Sequence, residues 1–201
     1  MAKVQNFNNV QLGSFQEAKN KSPWCGDALF CNESEDYFIC AVSDGLGSGQ
    51  FAYEASKVVM DYIRENHHED LVMLMENCNR LLLNRRGVVL SIIKVDYKNK
   101  EIIYSNTGNI NCIFYSLDGI LTRTIPRRGF LSGKKLNFTT QHLPYKTGMR
   151  FIIFTDGVDL QSTLQKAIMR ENSITDVIYA VKKIADFKKD DTTFVVGDVF
   201  K

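Results

Sequence analysis

The sequence predicts an α+β fold: two antiparallel β-sheets with helices packed on their outer faces. Three observations carry this. Short apolar runs at strand spacing recur along the chain and are joined by hairpin-sized polar turns, an arrangement that does not suit a parallel α/β sheet. Three other stretches, beginning near Phe51, Leu71 and Ile174, place their apolar residues at helical spacing instead. No linker, repeat or low-complexity segment breaks the 201 residues, and 44% of them are hydrophobic. Residues 1–201 therefore read as a single domain with a sizeable core.

Taken in order, Val4 to Lys19 holds one or two strands, and Ala28–Cys31 and Tyr37–Ser43 form a hairpin about the polar turn Asn32–Asp36. Ala52, Ala55, Val58, Val59, Tyr62 and Ile63 make one helical stripe. Leu71, Leu74, Met75, Cys78, Leu81 and Leu82 make a second, with Asp70 as N-cap. The short connection His67-His68-Glu69 makes the two helices antiparallel neighbours, its histidines exposed loop residues. Strands follow at Gly87–Asp96 and Glu101–Asn106, then Ile110–Ser116 and Ile120–Thr124 about the turn Asp118-Gly119. Pro126–Gly133 is a loop, Asn137–Leu143 an edge strand, Pro144–Gly148 a turn and Arg150–Thr155 a buried strand. A short helix lies within Asp159–Asn172. Ser173 caps the last helix, and Thr192–Val199 is the final strand.

A net charge of +2 argues against a dedicated nucleic-acid binder, and pairs such as Arg85-Arg86 read as solvated surface. Five cysteines without a C-x-x-C pair read as reduced core thiols of a cytoplasmic protein, not as a disulfide framework or a zinc site. No signal-peptide pattern opens the chain, and its apolar runs are too short to span a bilayer.

The chemistry concentrates at Ala41–Gly49, where an apolar run stops at Asp44-Gly45 and two further glycines precede a helix. Folding the preceding hairpin about Glu35 and Asp36 sets Asp27 opposite Asp44, at a Cβ separation of about 4.5–5.5 Å. Such carboxylates repel each other unless a proton or cation lies between them. Asp156 leaves the end of one strand and Asp190 precedes another. If those strands are antiparallel neighbours, both carboxylates share a rim. Oxygen-only donors suit Mg²⁺ or Mn²⁺. The competing reading takes each Asp-Gly as a simple turn, as at Asp118-Gly119.

Cys25-Gly26-Asp27, Ser43-Asp44-Gly45-Leu46-Gly47-Ser48-Gly49, Thr155-Asp156-Gly157 and Asp190-Asp191-Thr192-Thr193 resemble, in order, the metal-binding motifs of type-2C (PPM) protein phosphatases. The small bacterial SpoIIE-like branch is the most similar. Gly129–Gly133 and Cys78–Gly87 look like the members of that branch that serve the stressosome. The resemblance implies a four-layer α-β-β-α sandwich and two Mn²⁺ or Mg²⁺ ions. Asp44 would bridge the ions, Asp27 and the Gly45 carbonyl would serve one, and Asp156 and Asp190 the other. Gly26 departs from the pattern, since many relatives are acidic there. No arginine precedes Arg64 to grip phosphate as in eukaryotic relatives; Lys19 and Lys21 are substitutes, or simply solvated.

The activity so implied is hydrolysis of phosphoserine or phosphothreonine on stressosome proteins by metal-activated water, as negative feedback on the general stress sigma-factor pathway. A monomer with neither nucleic acid nor membrane as partner is expected. Two alternatives are a catalytically silent phosphoprotein-binding adaptor and a SpoIIE-like phosphatase of an anti-anti-sigma factor. His142 reads as strand surface, not as a proton donor; Asp191 as a loop or supporting residue; Asp198 as remote from the site. For selectivity the candidate is Pro126–Gly133: Arg127 and Arg128 to pair with acidic partner surface, Phe130 and Leu131 to dock in a groove or else to plug the core.

Overall fold

The computed structural model describes residues 2–171 and 173–200. Eleven strands and four α-helices are described, with a single 3-10 turn at Lys19–Lys21. They are β1 (Lys3–Asn6), β2 (Val10–Glu17), β3 (Asp27–Glu33), β4 (Tyr37–Gly45), α1 (Gln50–Asn66), α2 (Leu71–Leu81), β5 (Val88–Asp96) and β6 (Glu101–Thr107). There follow β7 (Asn111–Tyr115), β8 (Leu121–Arg123), β9 (Gln141–Pro144), β10 (Arg150–Phe154), α3 (Ser162–Arg170), α4 (Ile174–Ile184) and β11 (Thr192–Val199). The strands form two fully antiparallel sheets, ordered β1-β2-β11-β10-β7-β8 and β3-β4-β5-β6-β9.

Three apolar layers hold the four-layer stack together. Phe38, Val42, Ile93, Phe114, Phe151 and Val195 pack between the sheets. Ile39, Ala41, Ile92 and their neighbours face α1 and α2, meeting most of the predicted stripes of both helices; Leu81, assigned to the second stripe, is instead exposed. Phe15, Ile152, Phe194 and Val196 face α4. Strands covered on both faces lose the polar alternation of a half-exposed sheet, which is why β4, β5 and β10 read as continuous apolar runs. Asp70 caps α2 by accepting from Met73 N at 2.9 Å, and Ser173 caps α4 by accepting from Asp176 N.

Two local expectations need correction. The strand expected over Asn137–Leu143 begins only at Gln141, because Phe138 turns inward to the helix-side core and Ser105 Oγ takes the Thr139 carbonyl. It then runs on to Pro144, assigned above to a turn; β9 is an edge strand, so the missing N–H costs no ladder bond. His67 is not a free loop residue. Its ring packs on Phe30 and Tyr37, and Nδ1 lies 2.7 Å from the Tyr37 hydroxyl. The expected helical segment reaches Asn172, which lies outside the described residues.

At one end of β10 and β11, Arg150 is paired with Asp198 through Nε–Oδ1 at 2.6 Å and Nη2–Oδ2 at 2.7 Å. Nη1 donates to the carbonyls of Ile168 and Glu171, tying the C-terminal end of α3 to the sheet. Removing one partner of such a pair leaves a buried charge uncompensated. Asp198→Ala should therefore cost about 3 kcal/mol of stability by chemical denaturation. The strand ends that carry Asp156 and Asp190 should be undisturbed in the folded fraction, since Asp198 lies at the opposite end of the strand pair.

Candidate metal centre and its relatives

The β3–β4 register pairs Asp27 directly with Asp44, as the hairpin centre predicts. The β10–β11 register pairs Phe154 with Phe194, so the residues just beyond β10 lie beside those just before β11. Asp156 and Asp190 thus flank one strand end. Burial, with the charges of Asp156 and Asp190 next, pushes the Asp44 carboxyl up to about 7. Burial and then the Asp44 charge raise that of Asp27 well above the usual carboxylate range. All four aspartates therefore belong to one electrostatic cluster.

Each is held differently. Asp27 is 4% exposed, and its Oδ2 accepts from Thr155 Oγ1 at 2.7 Å; Thr155 in turn accepts from Thr193 N at 2.9 Å. Asp156 is exposed and accepts from Asn109 Nδ2 at 2.9 Å. Asp44 is half-buried, and no hydrogen bond to its side chain occurs among the described residues. Asp190 accepts from the Asp191 N–H at 2.9 Å.

Asp191 does more than the sequence suggested. Buried, it accepts from Lys19 N and Gly26 N, both at 2.7 Å, and so clamps the segment leading into β3. This also accounts for Gly26. A Cβ there would stand 2.9 Å from Asp191 Oδ2, 3.2 Å from Ala52 Cβ and 3.4 Å from the Gly45 carbonyl oxygen, so Asp191 crowds the space an acidic side chain would need. Gly45 itself presses against the α1 backbone at Ala52. Thr155 carried a faint signal, as the first polar residue after an apolar run. Asn109 carried none, because only folding brings it to Asp156.

Other expectations divide. His142 sits on the edge strand β9 with Nδ1 3.0 Å from Glu101, away from the rim. Leu131 is wholly buried in the helix-side core and exchanges backbone hydrogen bonds with Val88. It is core, not a docking residue, and this corrects its assignment to substrate recognition. Phe130 is 44% exposed; its ring covers Gly87 on the side of Leu46, two residues beyond Asp44. Arg127 and Arg128 are exposed, and Arg127 is anchored by backbone to Asn106 and Gly108, next to Asn109. The loop therefore lies along the rim.

The donor set is all oxygen, and Asp44 has neighbouring negative charge and no hydrogen-bond donor. That chemistry fits hard divalent cations. Among the described residues no three acidic, cysteine or histidine side chains converge tightly enough to enclose an ion in their present rotamers. Asp27 and Asp156 are each turned to a side-chain donor instead.

Two antiparallel sheets between helical layers, with aspartates gathered at strand ends, define the metal-dependent PP2C protein phosphatase fold. The chain belongs to the Stage II sporulation protein E (SpoIIE) family, whose model matches residues 34–199. It is 33% identical to phosphoserine phosphatase RsbX of Bacillus subtilis, across 99% of this chain and all of that protein. The crystal structure of RsbX in complex with magnesium superposes with a TM-score of 0.93, at 31% identity, over 99% of this chain and all of that one. The catalytic domain of the serine/threonine phosphatase PstP, in complex with two manganese ions, shares the fold. Its TM-score is 0.73 at 15% identity, over 96% of this chain and 99% of that one.

The raised carboxyls set a pH dependence. A carboxyl whose folded pKa lies above its unfolded one favours the fold most below the unfolded value, and that contribution is lost as pH rises through the folded value. Metal-free protein should therefore melt lower at pH 8 than at pH 5.5. Asp44→Asn should raise the midpoint at pH 8 by about 5 °C, as removal of ~2 kcal/mol of repulsion would. A lower midpoint for the variant in EDTA at pH 8 would mean that Asp44 is not repelled by its neighbours.

Proposed function

We propose that residues 1–201 form a single phosphatase domain that uses two Mn²⁺ or Mg²⁺ ions to hydrolyse phosphoserine or phosphothreonine on a protein. The observation that carries this reading is the pairing of Asp27 with Asp44 on a rim shared with Asp156 and Asp190. Similarity to phosphoserine phosphatase RsbX along 99% of the chain supports it. Asp44 would touch both ions, Asp27 and the Gly45 carbonyl one, Asp156 and Asp190 the other. When bound, the ions supply an activated water and neutralise charge on the phosphoryl oxygens.

The chain's own residues set the geometry. Thr155 holds Asp27 through one oxygen, with the Thr193 side chain also against that carboxyl, and Asn109 holds one oxygen of Asp156. Asp191 holds the approach to β3 through two backbone N–H groups. No side chain needs to carry the phosphoryl group. No Cys-x5-Arg loop occurs, and burial raises the thiols of Cys25, Cys31, Cys78 and Cys112, disfavouring the thiolate.

As partner we propose a phosphorylated stressosome protein, with the enzyme acting in the cytoplasm as a monomer. The site motifs and the likeness to RsbX support the partner class. No helix among the described residues is long and apolar enough to cross a membrane.

Hydrolysis of a small phosphomonoester should be lost in EDTA, return with Mn²⁺ and survive thiol-blocking reagents under native conditions. Inactivation by such a reagent with metal present would count against the reading. Selectivity is expected from Arg127, Arg128 and Phe130. Arg127→Ala with Arg128→Ala should slow dephosphorylation of the protein substrate about tenfold, the size of a modest interface hot spot. Turnover of p-nitrophenyl phosphate should stay near wild type. A parallel fall in both rates would remove the loop from the selectivity account.

A further inference from the structure

Beside the rim lies a cleft of about 510 Å³ lined by Phe51, Glu54, Ala55, Asn84, Arg85 and Arg86. It joins the first turns of α1 to the segment between α2 and β5. Asn84 adopts a left-handed backbone conformation (φ +62), which turns the chain after α2 so that Arg85 and Arg86 face α1. Both arginines are exposed. Neither guanidinium has an ion-pair or hydrogen-bond partner among the described residues. The one acid in the cleft, Glu54, takes a hydrogen bond from Gln50 Nε2 at 2.7 Å. Phe51 leaves 67% of its surface in solvent. Two unpaired guanidiniums beside an exposed phenyl ring form a surface complementary to an anionic chain with an apolar side chain next to its charge.

Its place gives that chemistry a use. The backbone of Gly87 accepts from Leu46 N at 2.8 Å, so the Arg86-Gly87 segment runs beside the loop that follows Asp44 and Gly45. Arg86 Nη1 lies 3.7 Å from where a Cβ on Gly47 would be, and Gly47, at φ +93, has none to interfere. From Asp44 to Gly47 is three residues, about 10 Å of extended chain.

We propose that this cleft is a docking site for an acidic segment of the phosphorylated protein, about three residues along the chain from the phosphorylated side chain. The inference rests on the phosphatase reading for the identity of the occupant. Arg85 and Arg86 pair with carboxylates of that segment, and Phe51 covers an adjacent apolar side chain. The cleft adjoins the loop that carries Arg127 and Arg128 but is lined by neither of them, and it prefers acidic flanking sequence whatever the phosphate ester is.

The test uses two fluorescein-labelled peptides, each carrying a non-hydrolysable phosphonate analogue of phosphoserine. One has glutamates and a leucine flanking the analogue, and the other has glutamines in place of the glutamates. Binding is followed by fluorescence anisotropy with Mn²⁺ present. Wild type should bind the acidic peptide about tenfold more tightly, on the scale of close charge pairs across an interface. Arg85→Ala with Arg86→Ala should erase that preference, and Arg85→Lys with Arg86→Lys should keep most of it. Equal affinities in wild type, or a preference that survives the alanine pair, would overturn the proposal. Because the peptides cannot be turned over, the result is independent of catalysis. Loss of the phosphatase reading would appear separately, as failure of the wild type to hydrolyse p-nitrophenyl phosphate with Mn²⁺.

Discussion

The constraint on which the rest of the structure depends is the pairing of β3 with β4, which sets two carboxylates opposite each other in a partly dry place. Left to itself such a pair is unfavourable, because each charge is desolvated and each repels the other. The fold tolerates it because β4 is locked elsewhere and Asp191 clamps the segment leading into β3. β4 lies inside its sheet, bonded to β3 and β5 and covered on both faces by apolar layers. The second pair of carboxylates, beside β10 and β11, comes from the other sheet. The rim is therefore where strand ends of the two sheets meet, and its net negative charge is available for cations.

Around that rim the chain places polar contacts that depend on distant sequence. Thr155 reaches Asp27 across 128 positions, Asn109 reaches Asp156 across 47, and Asp191 reaches Gly26 across 165. These contacts limit how the acids can turn, and a preorganised ligand set loses less entropy on binding. They also couple the two sheets at the point where chemistry is expected. The packing between the sheets, by contrast, is almost wholly apolar and carries no such information.

The sequence made most of the fold legible for local reasons. Hairpin turns fix register, so a centre at Glu35 and Asp36 was enough to place Asp27 opposite Asp44. Asp70 and Ser173 announced their helices because capping is a relation between residues three apart. What stayed hidden was set by tertiary partners. Leu131 read equally as a docking or a core residue, and only its backbone pairing with Val88 and its burial place it in the core. Asp191 read as a loop or supporting residue, but its partners, the N–H groups of Lys19 and Gly26, are far away in sequence and were not legible. Arg85 and Arg86 read as solvated surface and are exposed, but that Arg86 lies beside Gly47, in the loop after Asp44, depends on the fold.

The central claim is that four aspartates from two sheets make one binuclear cation site with Asp44 between the ions. Anomalous diffraction at the manganese edge, from crystals grown with Mn²⁺, tests it most directly. The account predicts two peaks per chain, both contacted by Asp44, with Asp27 and the Gly45 carbonyl on one and Asp156 and Asp190 on the other. Manganese bound without Asp44, or no peak at the rim under saturating metal, would contradict it.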